Sequence, residues 1–315
     1  NKFHELEKNI KILERIDENQ SFEVESIIFL NKQLHIQEIG QHIQERGIDW
    51  ELIYKNYVEK CEEISKKEKS IFVNTYPFYY IKIYRNLIRA SFGTGMEKNY
   101  HDSMRRFNKL NFNSEKAEVL KMVYNFTFET LFYYQVGDIK KLRNSAMLSS
   151  LFLKNNITKI GPIDGITLYA QVFRGFAFAN ELDLAMYYAQ KTFESYPNNI
   201  RADLQAVAHI TFVLISFIQG NTHQINRILK EAELFLIKTE KLYAPELKIL
   251  RFIKNNINVN SEELSEASDK LISELQILKE NKFDSKLFNS FDFISFLQWK
   301  YQKKDIGKLL KESHK

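Results

Sequence analysis

Cysteine, proline and glycine are all scarce in this chain, and each scarcity removes a class of structure. The single cysteine, Cys61, allows no intrachain disulfide and no cysteine-based zinc cluster. With 4 prolines and 10 glycines in 315 residues, the chain lacks the turn signals that a long β-protein requires. No uninterrupted apolar run reaches the length of a membrane-spanning helix, so no membrane insertion is expected. The GxxxxGK[ST] phosphate loop, a GxGxxG fingerprint and a GxSxG elbow are also missing. No catalysis and no cofactor is therefore expected, and an enzyme would need a site assembled from distant residues. The 45 basic and 40 acidic residues give a net charge of +5 and are interspersed rather than blocked. That describes a mildly basic surface without a nucleic-acid footprint. One free cysteine suits a reducing compartment, and a cytoplasmic location is the expectation. Because the first residue is Asn1 and not Met, the true N-terminus is not visible and a longer chain is expected.

What is present is apolar and aromatic: 44% and 14% of residues, arranged in long periodic runs. Sparse breakers between such runs predict an all-α chain. All four prolines, Pro77, Pro162, Pro197 and Pro245, fall where helices should end. A charged helix over 3–17 carries Phe3, Leu6, Ile10, Leu13 and Ile16 on one stripe, and a longer one follows over 21–45. There His35, Glu38 and His42 share a face, read as a solvated polar face rather than a metal site, since no HExxH pattern accompanies them. In WELIYKNYVEKCEEISKK, Trp50, Ile53, Tyr57, Cys61 and Ile64 form a buried stripe, with Cys61 as a small core residue. Ser114 should cap a helix over 114–136, and that helix and 202–218 both read as core helices, apolar nearly all round. Ser261 should open a helix ending near Lys282. FNSFDFISFLQWKYQKK then reads as a final aromatic helix with one polar face, followed by a solvated basic tail.

The organising stretch is 163–199, two helices that reverse at Asn180-Glu181. Tyr169, Val172, Phe173 and Phe176 recur at three and four residues, while Ala185, Ala189 and Thr192 put small side chains on the facing helix. These positions resemble the tetratricopeptide repeat (TPR). Tyr169 falls at its aromatic position, Val172 at the aliphatic one and Phe176 at the tyrosine position. Ala185 takes the small position, and Pro197 the terminal proline. Phe173, Ala189 and Thr192 depart from it. Gly95, Gly137 and Gly220 are the counterparts of Asn180, recurring every 40–43 residues, longer than the TPR period of about 34. The stretch RADLQAVAHITFVLISFIQGN is also similar to uncharacterised TPR-like proteins of Bacteroidetes. The resemblance implies antiparallel helix pairs stacked as a right-handed α-solenoid over 1–315. It comprises N-terminal helices to residue 70, the best-defined repeats over 75–241 and a C-terminal cap over 243–315.

In TPR proteins the first helix of each pair lines a concave groove. Carried onto this chain, the resemblance places Lys82, Arg85 and Arg89 there, then Tyr124, Phe128 and Tyr134, then Gln171, Arg174 and Phe178. Cations at one end and aromatics along the middle suit an extended, acidic peptide or partner protein. The expectation is a peptide-binding scaffold. The alternative is a peptide-sensing regulator whose effector segment precedes residue 1.

Overall fold

The computed structural model describes residues 50–67, 77–281 and 286–314. The helices expected over 3–17 and 21–45, with His35, Glu38 and His42, lie outside the described residues. Among the described residues every regular element is helical and there is no strand. The chain divides between Asn125 and Phe126 into two compact units.

The N-terminal unit contains α1 (Trp50–Lys67), α2 (Pro77–Gly93), α3 (Glu97–Asn108) and the first part of α4 (Glu115–Gln135). Helix α1 packs on α2, and α2 on α3. Ile53, Tyr57 and Cys61 form the buried stripe of α1 that their four-residue spacing predicts. Burial pushes the Cys61 thiol up to about 12, so it is inert packing and not a nucleophile. Tyr84 of α2 stacks on Phe107 of α3 at 5.9 Å. Ser114 caps α4 as expected, its Oγ accepting from the Ala117 amide at 3.4 Å.

In the C-terminal unit the remainder of α4 is followed by α5 (Ile139–Asn156), α6 (Pro162–Phe178), α7 (Leu182–Glu194), α8 (Ala202–Ile218), α9 (Thr222–Lys238), α10 (Ala244–Asn255) and α11 (Ser261–Lys279). From α5 to α11 each helix packs on the next. The expected reversals are real chain reversals: Gly95, Gly137, Asn180 and Gly220 all have positive φ, between 64° and 73°. After α4, α6 and α8 the same pair of bonds closes the helix. Asp138, Glu181 and Asn221 donate their amides to the carbonyls of Tyr133, Phe176 and Ser216, at 2.9–3.0 Å. Glu240, at φ 56°, closes α9 in the same way, a turn that its residue type does not announce.

The recurrence of Tyr169, Val172, Phe173 and Phe176 predicts one apolar face on α6, but nearly its whole circumference is buried from Gly165 to Phe178. It lies between α5 and α7, and α5 comes so close that a Cβ on Gly175 would collide with Ala146. Ala185, Ala189 and Thr192 are fully buried on α7, the small face that the sequence shows. Helix α8 is a core helix as predicted, buried at almost every position from Leu204 to Ser216. Helix α11 opens at Ser261 as expected, capped by Asn260, whose side chain accepts from the amides of Glu262 and Glu263, and it ends at Lys279. Beyond it the expectations change. The expected single final helix is two, α12 (Lys286–Ser290) and α13 (Phe293–Gln302), and a further helix, α14 (Ile306–Ser313), follows. Asp292 makes the break, its carboxylate accepting from the Ser295 amide at 3.0 Å and from the Ser295 hydroxyl at 2.6 Å. The aromatic side is enclosed, with Phe291, Phe293, Phe296 and Leu297 fully buried, and the face expected to be polar is partly buried too, at Asp292 and Ser295. Part of the tail expected to be solvated forms α14, which buries Leu310.

His209 of α8 lies between the rings of Phe193, 3.9 Å away and nearly parallel, and Phe235, 4.4 Å away. Burial lowers its pKa to about 4. The folded state therefore resists a proton that the unfolded chain takes up near 6.5. This contribution is complete above pH 6.5 and is lost as pH falls towards 4, to the extent of about 1–3 kcal/mol. Urea unfolding at pH 7 and pH 4.5 reads this loss, and His209→Leu should flatten that part of the slope. Ala185→Leu should overpack the α6–α7 contact and destabilise the protein by about 1–3 kcal/mol in the same measurement.

Candidate functional site

The expected groove residues fall in both units, and each unit treats its share differently. In the N-terminal unit, Lys82, Arg85 and Arg89 lie on one stripe of α2 together with Phe78, which is 45% exposed. Lys82 and Arg89 are exposed and Arg85 is half-buried. The Arg85 guanidinium lies 5.7 Å over the ring of Tyr124 on α4. Arg85 also donates to Asn86 Oδ1 at 3.4 Å, and that buried amide donates to the Tyr57 hydroxyl at 3.4 Å. The expected neighbours Arg85 and Tyr124 are thus brought together, beside a stripe of α2 that carries Phe78, Lys82, Arg85 and Arg89.

In the C-terminal unit, Phe128, Tyr134, Arg174 and Phe178 are buried and Gln171 is half-buried. Tyr134, Arg174 and Phe178 are covered by the chain's own C-terminal segment. Phe291 packs 4.8 Å from Phe178 and 6.4 Å from Phe173, and Phe296 lies 5.6 Å from Phe178. Arg174 Nη1 donates to the Ser290 carbonyl at 3.1 Å, and the Tyr134 hydroxyl accepts from the Asp292 amide at 3.0 Å. Lys300 of α13 donates to Asn180 Oδ1 at 2.6 Å, with its ammonium 3.9 Å over Trp299. Partial burial lowers the Lys300 pKa to about 8. The start of α14 closes on the α4–α5 turn, where Gly307 and Gly137 touch backbone to backbone and a Cβ on either would collide with the other's carbonyl.

Arg174 is the unusual group. It is only 3% exposed, and its guanidinium lies 4.4 Å over the Tyr134 ring. Nη2 donates to Gln171 Oε1, while Nε has no partner. Among the described residues no carboxylate lies within ion-pair distance of it, and burial lowers its pKa. Sequence reasoning placed Arg174, Tyr134 and Phe178 on a common surface, and they do converge. It missed the segment that covers them. The one local signal was Asp292 followed three residues later by Ser295, a helix-start pattern inside a run read as continuous helix.

Among the described residues no cluster of His, Cys, Asp and Glu could hold a metal ion, and no helix is long and apolar enough to cross a membrane. No family model matches the chain, and neither a curated protein nor a solved structure does.

Replacing Tyr134 by Phe keeps the ring under Arg174 but leaves the buried Asp292 amide without an acceptor. A loss of about 1–3 kcal/mol is expected in urea unfolding. A stability unchanged by Tyr134→Phe would mean that this bond does not hold the C-terminal segment.

Proposed function

We propose that this chain is a TPR-like helical-repeat interaction module that binds an acidic peptide or partner protein and performs no catalysis. The observation that carries the reading is the exposed stripe of α2. Phe78, Lys82, Arg85 and Arg89 share one face, and Tyr124 steadies Arg85 from the side. Such a face offers forked donors for carboxylates beside apolar ring surface for side chains. The recurring left-handed reversals at Gly95, Gly137, Asn180 and Gly220, with successive helices packed on one another, support the repeat reading. On that reading the helix pairs are units of an α-solenoid with repeats of 40–43 residues.

The test is quantitative binding of the principal partner recovered from native lysate. Arg85→Ala/Arg89→Ala should weaken that binding by about tenfold or more, and raised salt should weaken wild-type binding in the same direction. Lys82→Ala should matter less, because an ammonium lacks the planar fork of arginine. Undiminished affinity in a normally folded double variant would remove this face as the working surface.

A further inference from the structure

We propose that the hollow of the C-terminal unit lined by Tyr134, Phe173, Arg174 and Phe178 is a second peptide-binding site, and that residues 286–302 are its resident occupant. The partner that replaces them is a phenylalanine-rich segment carrying an acidic side chain where this chain has Ser290. The inference deepens the peptide-binding reading above and rests on it, but uses a different surface.

The hollow holds its occupant by rules that do not depend on the occupant's identity at the clamped positions. Arg174 and Tyr134 grip main-chain groups, the carbonyl of Ser290 and the amide of Asp292. Any segment that ends a helix at the first of those residues, leaving its last carbonyl free, can supply both. Side-chain selection comes from the aromatic floor, where Phe291 is fully buried against Phe173 and Phe178, and Phe296 against Phe178. A helix end followed by a capped helix is thus read by backbone at one end and by rings at the other.

The resident segment does not use all that the hollow offers. Arg174 is buried, meets no carboxylate among the described residues, and keeps an Nε–H without a partner. The occupant brings a neutral carbonyl to it, while its one carboxylate, Asp292, is engaged by the Ser295 amide and hydroxyl. A carboxylate at the position of Ser290 would give the guanidinium a charged, two-point acceptor. Being tethered, the resident segment competes at an effective concentration on the order of millimolar, so a free peptide gains access only as the tethered one is loosened.

The experiment uses the full chain and a fluorescein-labelled synthetic peptide of sequence 286–302, read by fluorescence anisotropy. Two chain variants loosen the resident segment and leave the hollow intact: Gly307→Leu, which blocks the contact with Gly137, and Phe291→Ala/Phe296→Ala. Both should bind the peptide about tenfold or more tighter than the wild type does. The peptide carrying S290D should bind better still, and this preference should vanish in an Arg174→Gln chain. A peptide with all four phenylalanines, Phe288, Phe291, Phe293 and Phe296, changed to alanine should not bind. The proposal is overturned if both variants stay folded by circular dichroism and gain no binding, or if the alanine peptide binds equally well. It is overturned also if both variants unfold, since residues 286–302 are then inseparable from the core. A dimer of the wild type by light scattering, with the segment exchanged between copies, would make this a self-assembly site and overturn the proposal too. None of these results bears on the Arg85 and Arg89 face, whose own test is separate.

Discussion

A helix will continue while its next residue can keep a right-handed backbone, so a stack of short helix pairs depends on what stops each one. Here the stop is a single residue forced to positive φ, after which two amides turn back onto the last free carbonyls. Gly137, Asn180 and Gly220 close α4, α6 and α8 in this way. The following helix packs on the one just completed: Thr130 meets Ser145 between α4 and α5, and α7 and α9 lie on α6 and α8. The small face of α7 and the close approach of Gly175 to Ala146 then fix how near the neighbours come to α6. Asn180 carries a second task, since its exposed amide receives Lys300 from α13.

Features set by neighbours in the chain were readable from the sequence. The reversals, the Ser114 cap, the small face of α7 and the stripe of α1 all follow from residues within a few positions of one another. Glu240 escaped because nothing in glutamate marks a left-handed residue, and α6 was misjudged because periodicity shows which face is most apolar, not how many neighbours will cover the rest. The seat of residues 286–314 was not readable for a plainer reason. Its contacts join positions far apart in sequence, Ser290 to Arg174 and Asp292 to Tyr134, and no local spacing encodes them. For the candidate site, the exposed share on α2 was legible because solvent-facing cations at i, i+3 and i+7 need only helical geometry. Arg174 has the same spacing logic but stands on a helix that is buried all round.

A guanidinium so enclosed carries a desolvation cost of several kcal/mol. The face of Tyr134, the Gln171 amide and the Ser290 carbonyl offset part of it, and each is a weaker partner than a carboxylate. An apolar residue of similar length would fill the same volume without that cost. The arginine therefore weakens the local core relative to what the fold alone requires, while giving the hollow a polarity that its aromatic walls lack.

The enclosed thiol of α1 has a practical consequence. Cys61 is the chain's sole sulfhydryl, and at a pKa near 12 it has almost no thiolate at neutral pH. The natural sequence is accordingly a silent background for maleimide chemistry. A cysteine introduced at any exposed position will carry a dye or spin label alone, so distances across either unit can be measured without first engineering the native residue away.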